Sequence, residues 1–370
     1  MTLLQPEHDL LHKVLSVSLS ERYVYSDSVF VADFFVIPGN NAPRWLLPKN
    51  SALAIKVLSQ WMPYGVASQL KWWALCFFYR LGLLARMPVI KKITVAKTLP
   101  KETNKAAVAV VPIIYVGTPG PQQKAVVTLV AEHNAEALAV LKIPLGKNAK
   151  ASILVEAKAL SKLAKGGVEN VPKLISVCEE AGVSLQSIVV GKLAKRTLNK
   201  IQVDYLAALP KSGELTNFTV QKKLLQKKIS QSNLVPSTQE SMTLAINMLT
   251  SNKIIPHILV HGDFTPWNIK RFKHQACAVI DWEDADFKGL PLWDLCHFYF
   301  IQAHLFNQKE LVKNFFYNVL VSDYLLQLGI DDQSAKCLLT IYVVSTILDE
   351  SVSAGYRTFL ISYMAGAIVK

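Results

Sequence analysis

The chain has 370 residues, of which 51% are hydrophobic, and its mean hydropathy is +0.26. This length suits two or three domains with sizeable cores, and the apolar content excludes an intrinsically disordered protein. The net charge of +13 and the pI near 9.4 indicate anionic partners, such as phosphorylated ligands or a membrane surface. Nucleic acid is not the expected partner, because no zinc-finger, basic-zipper or RNA-binding pattern accompanies the charge.

The five cysteines are scattered and never have the C-x-x-C spacing. They predict reduced thiols in the cytoplasm rather than a disulfide framework or a zinc site. The N-terminal sequence MTLLQPEHDLLHKV lacks a basic start followed by an uninterrupted apolar core, so no signal peptide is expected. The predicted location is the cytoplasm, with peripheral contact at the inner face of the membrane as an alternative.

Residues 1–100 are predicted to form an N-terminal extension, in which the strand-like stretch RYVYSDSVFVADFFVIPG precedes an apolar region. Within that region, WWALCFFYRLGLLA (72–85) contains Arg80 and is shorter than the ~20 apolar residues that a membrane-spanning helix needs. The favoured interpretation is a helix packed on a core. The alternative is a helix lying in the membrane interface, with basic residues near anionic headgroups. Those residues are Lys71, Arg80, Arg86, Lys91 and Lys92.

The next segment, 101–191, is predicted to hold a small sheet and one helix, after a linker at 91–105. Two β-rich runs, AVAVVPIIYVG and KAVVTLVAE, are separated by TPGPQQ, and ALAVLKIPL provides a third strand. The segment KNAKASILVEAKALSKLAK is predicted to be helical, and VPKLISVCEE and VSLQSIVVG give two more strands. Three strands, a helix and two strands is the order typical of a nucleotide-binding kinase lobe.

The residues that such a lobe needs are present. Lys142 lies on the third strand, and Glu156 follows on the predicted helix. In kinases such a pair holds the lysine against the α- and β-phosphates of ATP, although the same two residue types are more often solvated surface. Gly117 and Gly120 lie where a flap over phosphates would lie, since glycine allows close approach of the backbone, but the loop is not G-x-G-x-x-G. Val190 is predicted at the hinge that pairs with adenine.

The polar stretch HILVHGDFTPWNIKRFKHQACAVIDWEDAD carries the strongest pattern. Its H-x-D-x4-N motif consists of His261, Asp263 and Asn268, and Asp281 follows the apolar run ACAVI. Phosphoryl transfer needs a carboxylate that orients the attacking hydroxyl and oxygen ligands that hold Mg²⁺ on the phosphates. Asp263 fits the first role, and Asn268 with Asp281 fits the second, because Mg²⁺ prefers oxygen ligands and seldom has an all-protein cage.

The sequence VHGDFTPWNI, followed by VIDWEDADFKGLPLWDL, closely resembles the aminoglycoside phosphotransferase and choline kinase superfamily, the small-molecule relatives of protein kinases. The resemblance is specific over 257–298, weaker over 106–190 and not detected over 1–100. It implies an α+β, bilobal, protein-kinase-like fold with an additional N-terminal α/β region. The small β-rich N-lobe would be 101–191, and the mainly helical C-lobe, which would bind the acceptor, would be 192–370.

The resemblance also implies a role for individual residues. Asp263 would be the catalytic base, His261 a buried brace of the catalytic loop and Asp294 a cap of that loop. Asn268 and Asp281 would bind Mg²⁺. The residues that would bind ATP are Lys142, Glu156, Gly117, Gly120 and Val190.

The predicted activity is ATP- and Mg²⁺-dependent transfer of the γ-phosphate to a hydroxyl of a small molecule, such as a sugar, an amino-alcohol or an antibiotic-like acceptor. A protein kinase would place a long activation segment after the metal-binding aspartate, whereas Asp281 is followed by Trp282 and, soon afterwards, by Asp294. The alternative is a catalytically inactive kinase-like protein that binds a membrane or a complex. The intact set of Asp263, Asn268 and Asp281 argues against it.

The segment from Lys192 to Lys228 has nine Lys or Arg residues and only two acidic ones, Asp204 and Glu214. This imbalance favours an anionic or neutral acceptor, although solvated helix faces would give the same pattern. Carboxylates between Asp331 and Glu350 could supply an acidic wall, so aminoglycosides are disfavoured rather than excluded.

Overall fold

The computed structural model describes residues 6–17, 23–25, 29–38, 43–87, 90–98, 108–272 and 277–368. The chain divides into two compact units, Met1–Leu193 and Ala194–Lys370.

In the described part of the first unit, nine strands form one sheet with the order β4-β2-β3-β5-β6-β7-β9-β8, and β1 pairs in parallel with β5. The strands are β1 Tyr23–Tyr25, β2 Val29–Ile37, β3 Trp45–Pro48, β4 Lys91–Thr98, β5 Val108–Val116, β6 Lys124–Ala131, β7 Ala137–Pro144, β8 Leu174–Cys178 and β9 Val183–Ser187. The two-residue strand β10, Lys192–Leu193, ends the unit. The helices are α1 Pro6–Ser16, α2 Ser51–Leu58, α3 Val66–Arg80 and α4 Ala149–Lys165, with a 3-10 turn at Leu83–Arg86.

The three strands, helix and two strands predicted within 101–191 are present as β5, β6, β7, α4, β8 and β9. Strands from residues 1–100 extend the same sheet, because β3 pairs with β5 and β2 pairs with both β3 and β4. The division at residue 100 and the roles of the three predicted segments stay predictions.

The interpretation of 91–105 as a linker is wrong for Lys91–Thr98, which is strand β4. Ile93 is buried between exposed Lys92 and Thr94, the alternation expected of a strand with one buried face. The abundance of lysine hid this alternation. Residues 99–105 lie outside the described residues.

Each face of the sheet carries its own apolar cluster, because successive strand residues point to opposite sides. Phe34, Leu46 and Ile114 pack in one cluster, which α1 covers with Leu11 and Val14. Neighbouring residues in the same strands, such as Phe35, Leu47 and Ile113, pack in the second cluster, which α2 and α3 cover.

The run 72–85 lies in α3 and the turn that follows it. Trp72, Leu75 and Cys76 pack on the second cluster, and buried Tyr79 donates its hydroxyl to the Pro48 carbonyl at 2.5 Å. The favoured interpretation, a helix packed on a core, is therefore correct for this face of α3. The opposite face is exposed, with Trp73 63% and Phe77 59% accessible.

Among the described residues, no helix combines the length and the apolar character needed to cross a bilayer.

The second unit is mainly helical. Its helices are α5 Lys200–Ala207, α6 Phe218–Ser230, α7 Pro236–Asn247, α8 Trp293–Leu305, α9 Glu310–Lys313, α10 Val319–Leu328, α11 Asp332–Leu348 and α12 Ala354–Ala367. Its strands are β11 Lys211–Asn217, β12 Ile254–Val260, β13 Ile269–Arg271, β14 Cys277–Val279 and β15 Asp286–Gly289, with 3-10 turns at Pro266–Asn268 and Phe315–Tyr317. Most of α11 is buried, as expected of a helix that is apolar on nearly every side.

Two short antiparallel pairings in this unit position the polar stretch of the sequence. β12 lies between β11 and β15, and β13 pairs with β14. The H-x-D-x4-N motif therefore fills the connection from β12 to β13, and Asp281 follows β14. A sheet-rich first unit and a helical second unit confirm the predicted α+β, kinase-like fold class.

Candidate active site

Lys142 and Glu156 form a buried ion pair in the first unit. Lys142 Nζ lies 2.7 Å from Glu156 Oε1 and 2.6 Å from Oε2, and the two residues are 5% and 0% exposed. Lys142 points from β7 toward α4, while its neighbours Leu141 and Ile143 are buried on the other face of the sheet. The pair is therefore not solvated surface, and the carboxylate fixes the position of the ammonium group.

The loop between β5 and β6, which holds Gly117 and Gly120, is tethered to the start of α4. The Asn148 N–H donates to the Pro121 carbonyl at 2.7 Å, and the Gly146 N–H donates to the Gln123 carbonyl at 2.7 Å. A Cβ on Gly146 would come within 2.3 Å of the Pro121 oxygen, so only glycine fits this close approach. Sequence reasoning missed Gly146, because its need for glycine comes from the approach of another loop and no local sequence pattern shows it.

Of the other residues predicted to bind the nucleotide, Gly117 is half-buried and donates its N–H to the Lys124 carbonyl at 2.9 Å. Gly120 has space around it for a side chain, and Val190 is exposed in the segment after β9. A part for Gly117, Gly120 or Val190 in nucleotide binding stays a prediction.

In the second unit, a buried carboxylate holds the turn after β12. The Asp294 oxygens accept hydrogen bonds from the His261 N–H at 2.7 Å and from the Gly262 N–H at 2.9 Å. Burial raises the pKa of Asp294 above its ordinary value, although these two donors act in the opposite direction. This is the position that the resemblance implied for a cap of the catalytic loop.

Gly262 itself adopts a backbone conformation that favours glycine. Its φ is +88°, and a Cβ at this position would lie 2.2 Å from the Asp284 carbonyl oxygen. The glycine of the HGD motif is thus required both by the left-handed turn and by the close approach of a second loop.

His261 connects the turn to the end of β14. Its ring Nε2 lies 2.9 Å from the Ile280 carbonyl, and its Nδ1 accepts a hydrogen bond from the Asp263 N–H at 3.2 Å. These partners place the ring proton on Nε2. The ring is fully buried and packs on Trp282 at 4.6 Å between ring centroids. Both ring nitrogens of His261 are hydrogen-bonded to backbone groups, so its contacts are those of a residue that holds the loop in place.

Asp263 presents a carboxylate whose two oxygens are both hydrogen-bonded. Asn268 Nδ2 donates to Asp263 Oδ2 at 2.8 Å and to the Asp263 carbonyl at 3.0 Å, and His297 Nε2 lies 3.0 Å from Oδ1. The side chain is nevertheless 33% exposed, so a hydroxyl compound can reach it. Since the Asn268 nitrogen serves Asp263, the Asn268 amide oxygen is the atom suited to a cation.

Asp281 is brought to the same hairpin as Asn268. Ile269 pairs with Val279, and the Ile280 N–H donates to the Asn268 carbonyl at 2.9 Å, so Asp281 directly follows the residue bonded to Asn268. Asp281 has a φ of +68°, which a non-glycine residue rarely adopts and which functional sites tolerate. The described residues hold no group of three or more His, Cys, Asp or Glu side chains arranged for a metal ion. Two oxygen ligands still fit Mg²⁺, because water and phosphate usually supply the rest.

Sequence reasoning missed His297 and the tyrosines behind it. The His297 Nδ1 lies 3.3 Å from the Tyr342 hydroxyl, which lies 2.8 Å from the Tyr356 hydroxyl. Burial raises the pKa of both tyrosines, so their hydroxyls stay protonated. His297 follows Asp294 by three positions on α8, and that spacing could have placed both on one helix face. The tyrosines come from α11 and α12, and no local pattern marks them.

Most of the residues described above lie in a stretch of the chain that matches a known protein family. Residues 128–310 match the model of the "Phosphotransferase enzyme family". No curated protein matched the sequence.

Three solved structures are similar in fold. A macrolide 2'-phosphotransferase type I is 15% identical, with 70% of this chain and 92% of that chain covered and a TM-score of 0.48. A choline kinase from Streptococcus pneumoniae is 14% identical, with 70% of this chain and 93% of that chain covered and a TM-score of 0.46. A thermostable mutant of an aminoglycoside phosphotransferase is 13% identical, with 70% of this chain and 94% of that chain covered and a TM-score of 0.46. The resemblance predicted from the sequence is confirmed by the family match, which covers residues 128–310.

Proposed function

We propose that this protein is an ATP- and Mg²⁺-dependent phosphotransferase that phosphorylates a hydroxyl group of a small molecule. The observation that carries the proposal is the Asp263 carboxylate, which Asn268 and His297 orient while it stays partly exposed. A general base needs this combination, because the carboxylate must be fixed in direction and still reach the hydroxyl of the acceptor. The family match over 128–310 supports it.

In the proposed reaction, the acceptor oxygen attacks the γ-phosphorus and loses its proton to Asp263, while the bond from the γ-phosphorus to the leaving oxygen of ADP breaks. Lys142, held by Glu156, would contact the phosphates. Asn268 and Asp281 would hold Mg²⁺, which when bound neutralises negative charge on the phosphates. His261 and Asp294 would keep the loop in place and take no part in proton transfer, because their polar atoms bond the loop backbone.

For the acceptor, we propose an anionic or neutral hydroxyl compound. Lys200 of the basic segment 192–228 is used within the protein, since it pairs with Asp204 and Asp323, each at 2.8 Å. Lys223, Lys227 and Lys228 are exposed on α6. The remaining excess of positive charge disfavours a polycationic acceptor. The test compares kcat/KM for matched acidic, neutral and cationic acceptors at low and high salt. A preference for the cationic compound that weakens as salt rises would refute this part of the proposal.

The first experiment concerns the nucleotide, because it needs no knowledge of the acceptor. ATP and adenosine are titrated with and without Mg²⁺ into wild type, Lys142→Ala and Asp281→Ala. We expect Lys142→Ala to weaken ATP binding more than adenosine binding, and Asp281→Ala to remove the gain from Mg²⁺. Identical affinities in all three proteins would refute the proposed roles.

The second experiment seeks the acceptor. A thermal-shift screen of hydroxyl compounds is run with Mg²⁺ and a non-hydrolysable ATP analogue, because a bound ligand stabilises the folded state by mass action. Compounds that raise Tm are then assayed for transfer of the γ-phosphate. Nucleotide binding without any transfer to the compounds that bind would favour the inactive binding protein instead.

A further inference from the structure

Helix α3 has an exposed apolar side in addition to its packed one. Val66, Leu70, Trp73 and Phe77 recur at intervals of three and four residues and therefore share one helix face. They are 59–75% exposed, and Leu81, just past the helix, is 55% exposed. We call these five residues the exposed stripe.

The opposite side of α3 fixes the direction in which the exposed stripe points. Trp72, Leu75 and Cys76 pack on the core beneath the helix, and the Tyr79 hydroxyl bonds the Pro48 carbonyl. The helix cannot rotate to bury the stripe without exposing these residues. Single exposed apolar residues are ordinary, but a continuous apolar face with a tryptophan and a phenylalanine marks an interaction site.

The segment of sequence that contains the exposed stripe carries charge of one sign. Residues 34–101 contain ten Lys or Arg residues and no Asp or Glu. Lys71, Arg80 and Arg86 are exposed, and within the described residues none of these three forms an ion pair. The whole chain has 27 acidic residues, so their absence from residues 34–101 is a local feature of the sequence and does not follow from its composition. The surface therefore combines apolar contact with attraction for anions.

We propose that α3 docks on the surface of an anionic lipid bilayer, with the exposed stripe among the acyl chains and the surrounding basic residues at the lipid phosphates. The helix has 15 residues and is about 22 Å long, shorter than the ~30 Å hydrocarbon core, so it lies in the interface. Tryptophan, phenylalanine and leucine beside Lys and Arg are the residues that interfacial helices use.

A second copy of this chain is the weaker candidate for the occupant. A symmetric dimer through this face would bring two acid-free basic regions together, and like charges would oppose it. An anionic bilayer supplies the negative charge that the region lacks.

The test measures binding of the full chain to sedimented vesicles of phosphatidylcholine, alone or with roughly one third phosphatidylglycerol. We expect binding to the anionic vesicles that weakens as salt rises. Trp73→Ser/Phe77→Ser should lower the partition coefficient about tenfold or more. The matched control, Val220→Ser/Leu224→Ser, removes two exposed apolar residues of α6 and should bind as wild type does.

The charge contribution is measured in the same way. Arg80→Gln/Arg86→Gln should weaken binding several-fold, and Lys227→Gln/Lys228→Gln, which removes the same charge from α6, should change it by less than about twofold. All of these residues are exposed, and an unchanged Tm checks that each variant is folded.

A conservative variant tests the contact without removing it. Trp73→Phe should bind normally, but the quenching of tryptophan fluorescence by brominated lipid should fall. Equal binding to neutral and anionic vesicles would overturn the proposal, as would unchanged binding of Trp73→Ser/Phe77→Ser. A concentration-dependent dimer that this double variant abolishes, with no vesicle binding by wild type, would assign the exposed stripe to a second copy.

Discussion

The two units hold their polar site residues in opposite ways. In the first unit, Lys142 and Glu156 are removed from water, and each charge faces the other. In the second, Asp263 is 33% exposed, and its contacts are spread over Asn268 and His297. Burial fixes a group firmly but makes the folded state depend on its partner. Partial exposure leaves a group open to a substrate, and its loss then affects chemistry more than stability.

The strongest test of this comparison is Asp263→Asn. The amide keeps the size of the side chain but cannot accept the proton of the acceptor, so kcat should fall by about 10²–10⁴. Because the side chain is partly exposed, Tm and ATP affinity should change little. The measurement is phosphate transfer to the identified acceptor, beside thermal unfolding and nucleotide titration. Near-normal kcat would exclude Asp263 as the base.

The opposite outcome is expected for Glu156→Gln. Removing the carboxylate that faces buried Lys142 should lower the free energy of unfolding by about 3–5 kcal/mol, as for other buried ion pairs that lose one partner. The matched control is Glu310→Gln, which breaks an ion pair of 2.6 Å to Lys313 between exposed side chains. That pair should contribute less than about 1 kcal/mol. Urea unfolding measures both, and equal losses would show that burial does not set the difference.

The sequence predicted the parts of both sites that local pattern determines. Alternation on β7 and periodicity on α4 place Lys142 opposite Glu156, and H-x-D-x4-N spans one turn after β12. His297, Tyr342 and Tyr356 meet through tertiary packing of α8, α11 and α12, which no sequence interval encodes. Gly146 was missed for the same reason, since its need for glycine comes from a distant loop.

The errors in the fold predicted from the sequence also have a physical cause. The sequence predicts a linker where the structure has strand β4, because the lysines of this segment outweigh the alternation that makes one face apolar. For α3, an apolar run alone cannot distinguish a buried face from an exposed one. Only the packing of Tyr79 and its neighbours on the core assigns the two sides.

A third prediction separates the effect of backbone conformation from that of close packing at Gly262, in the turn after β12. Gly262→Ala places a Cβ 2.2 Å from the Asp284 oxygen at a φ of +88°, whereas Gly213→Ala meets nothing within 4 Å at a φ of +78°. Gly213→Ala should lower the free energy of unfolding by about 1 kcal/mol, and Gly262→Ala by about 2–3 kcal/mol or more. Urea unfolding compares them. Equal effects would mean that the second loop moves away freely.

A fourth prediction examines how Asp263 is oriented. His297→Phe removes one hydrogen bond to the carboxylate and should lower kcat about tenfold, with a smaller loss for Tyr342→Phe, which removes the hydroxyl beside the other ring nitrogen. His297→Gln, which retains a donor, should recover part of the activity. The measurement is kcat with the identified acceptor, and equal kcat values for His297→Phe and His297→Gln would contradict the contact.

The smallest effect extends the comparison to the Asp331 carboxylate, whose side chain is 42% exposed. Asp331 caps the start of α11 by accepting the Ser334 N–H at 2.7 Å and pairs with Lys253 at 2.6 Å, and these contacts lower its pKa to about 2. A carboxylate with a lowered pKa stabilises the folded state above its ordinary pKa, and this contribution is lost as the pH falls through 3.8 toward 2. Asp331→Asn keeps the acceptor for the helix start and removes the charge. We therefore expect a slightly lower urea midpoint than wild type at neutral pH and a difference that closes between pH 4 and pH 2. A difference that stays constant over this range would show that the charge of Asp331 does not cause it.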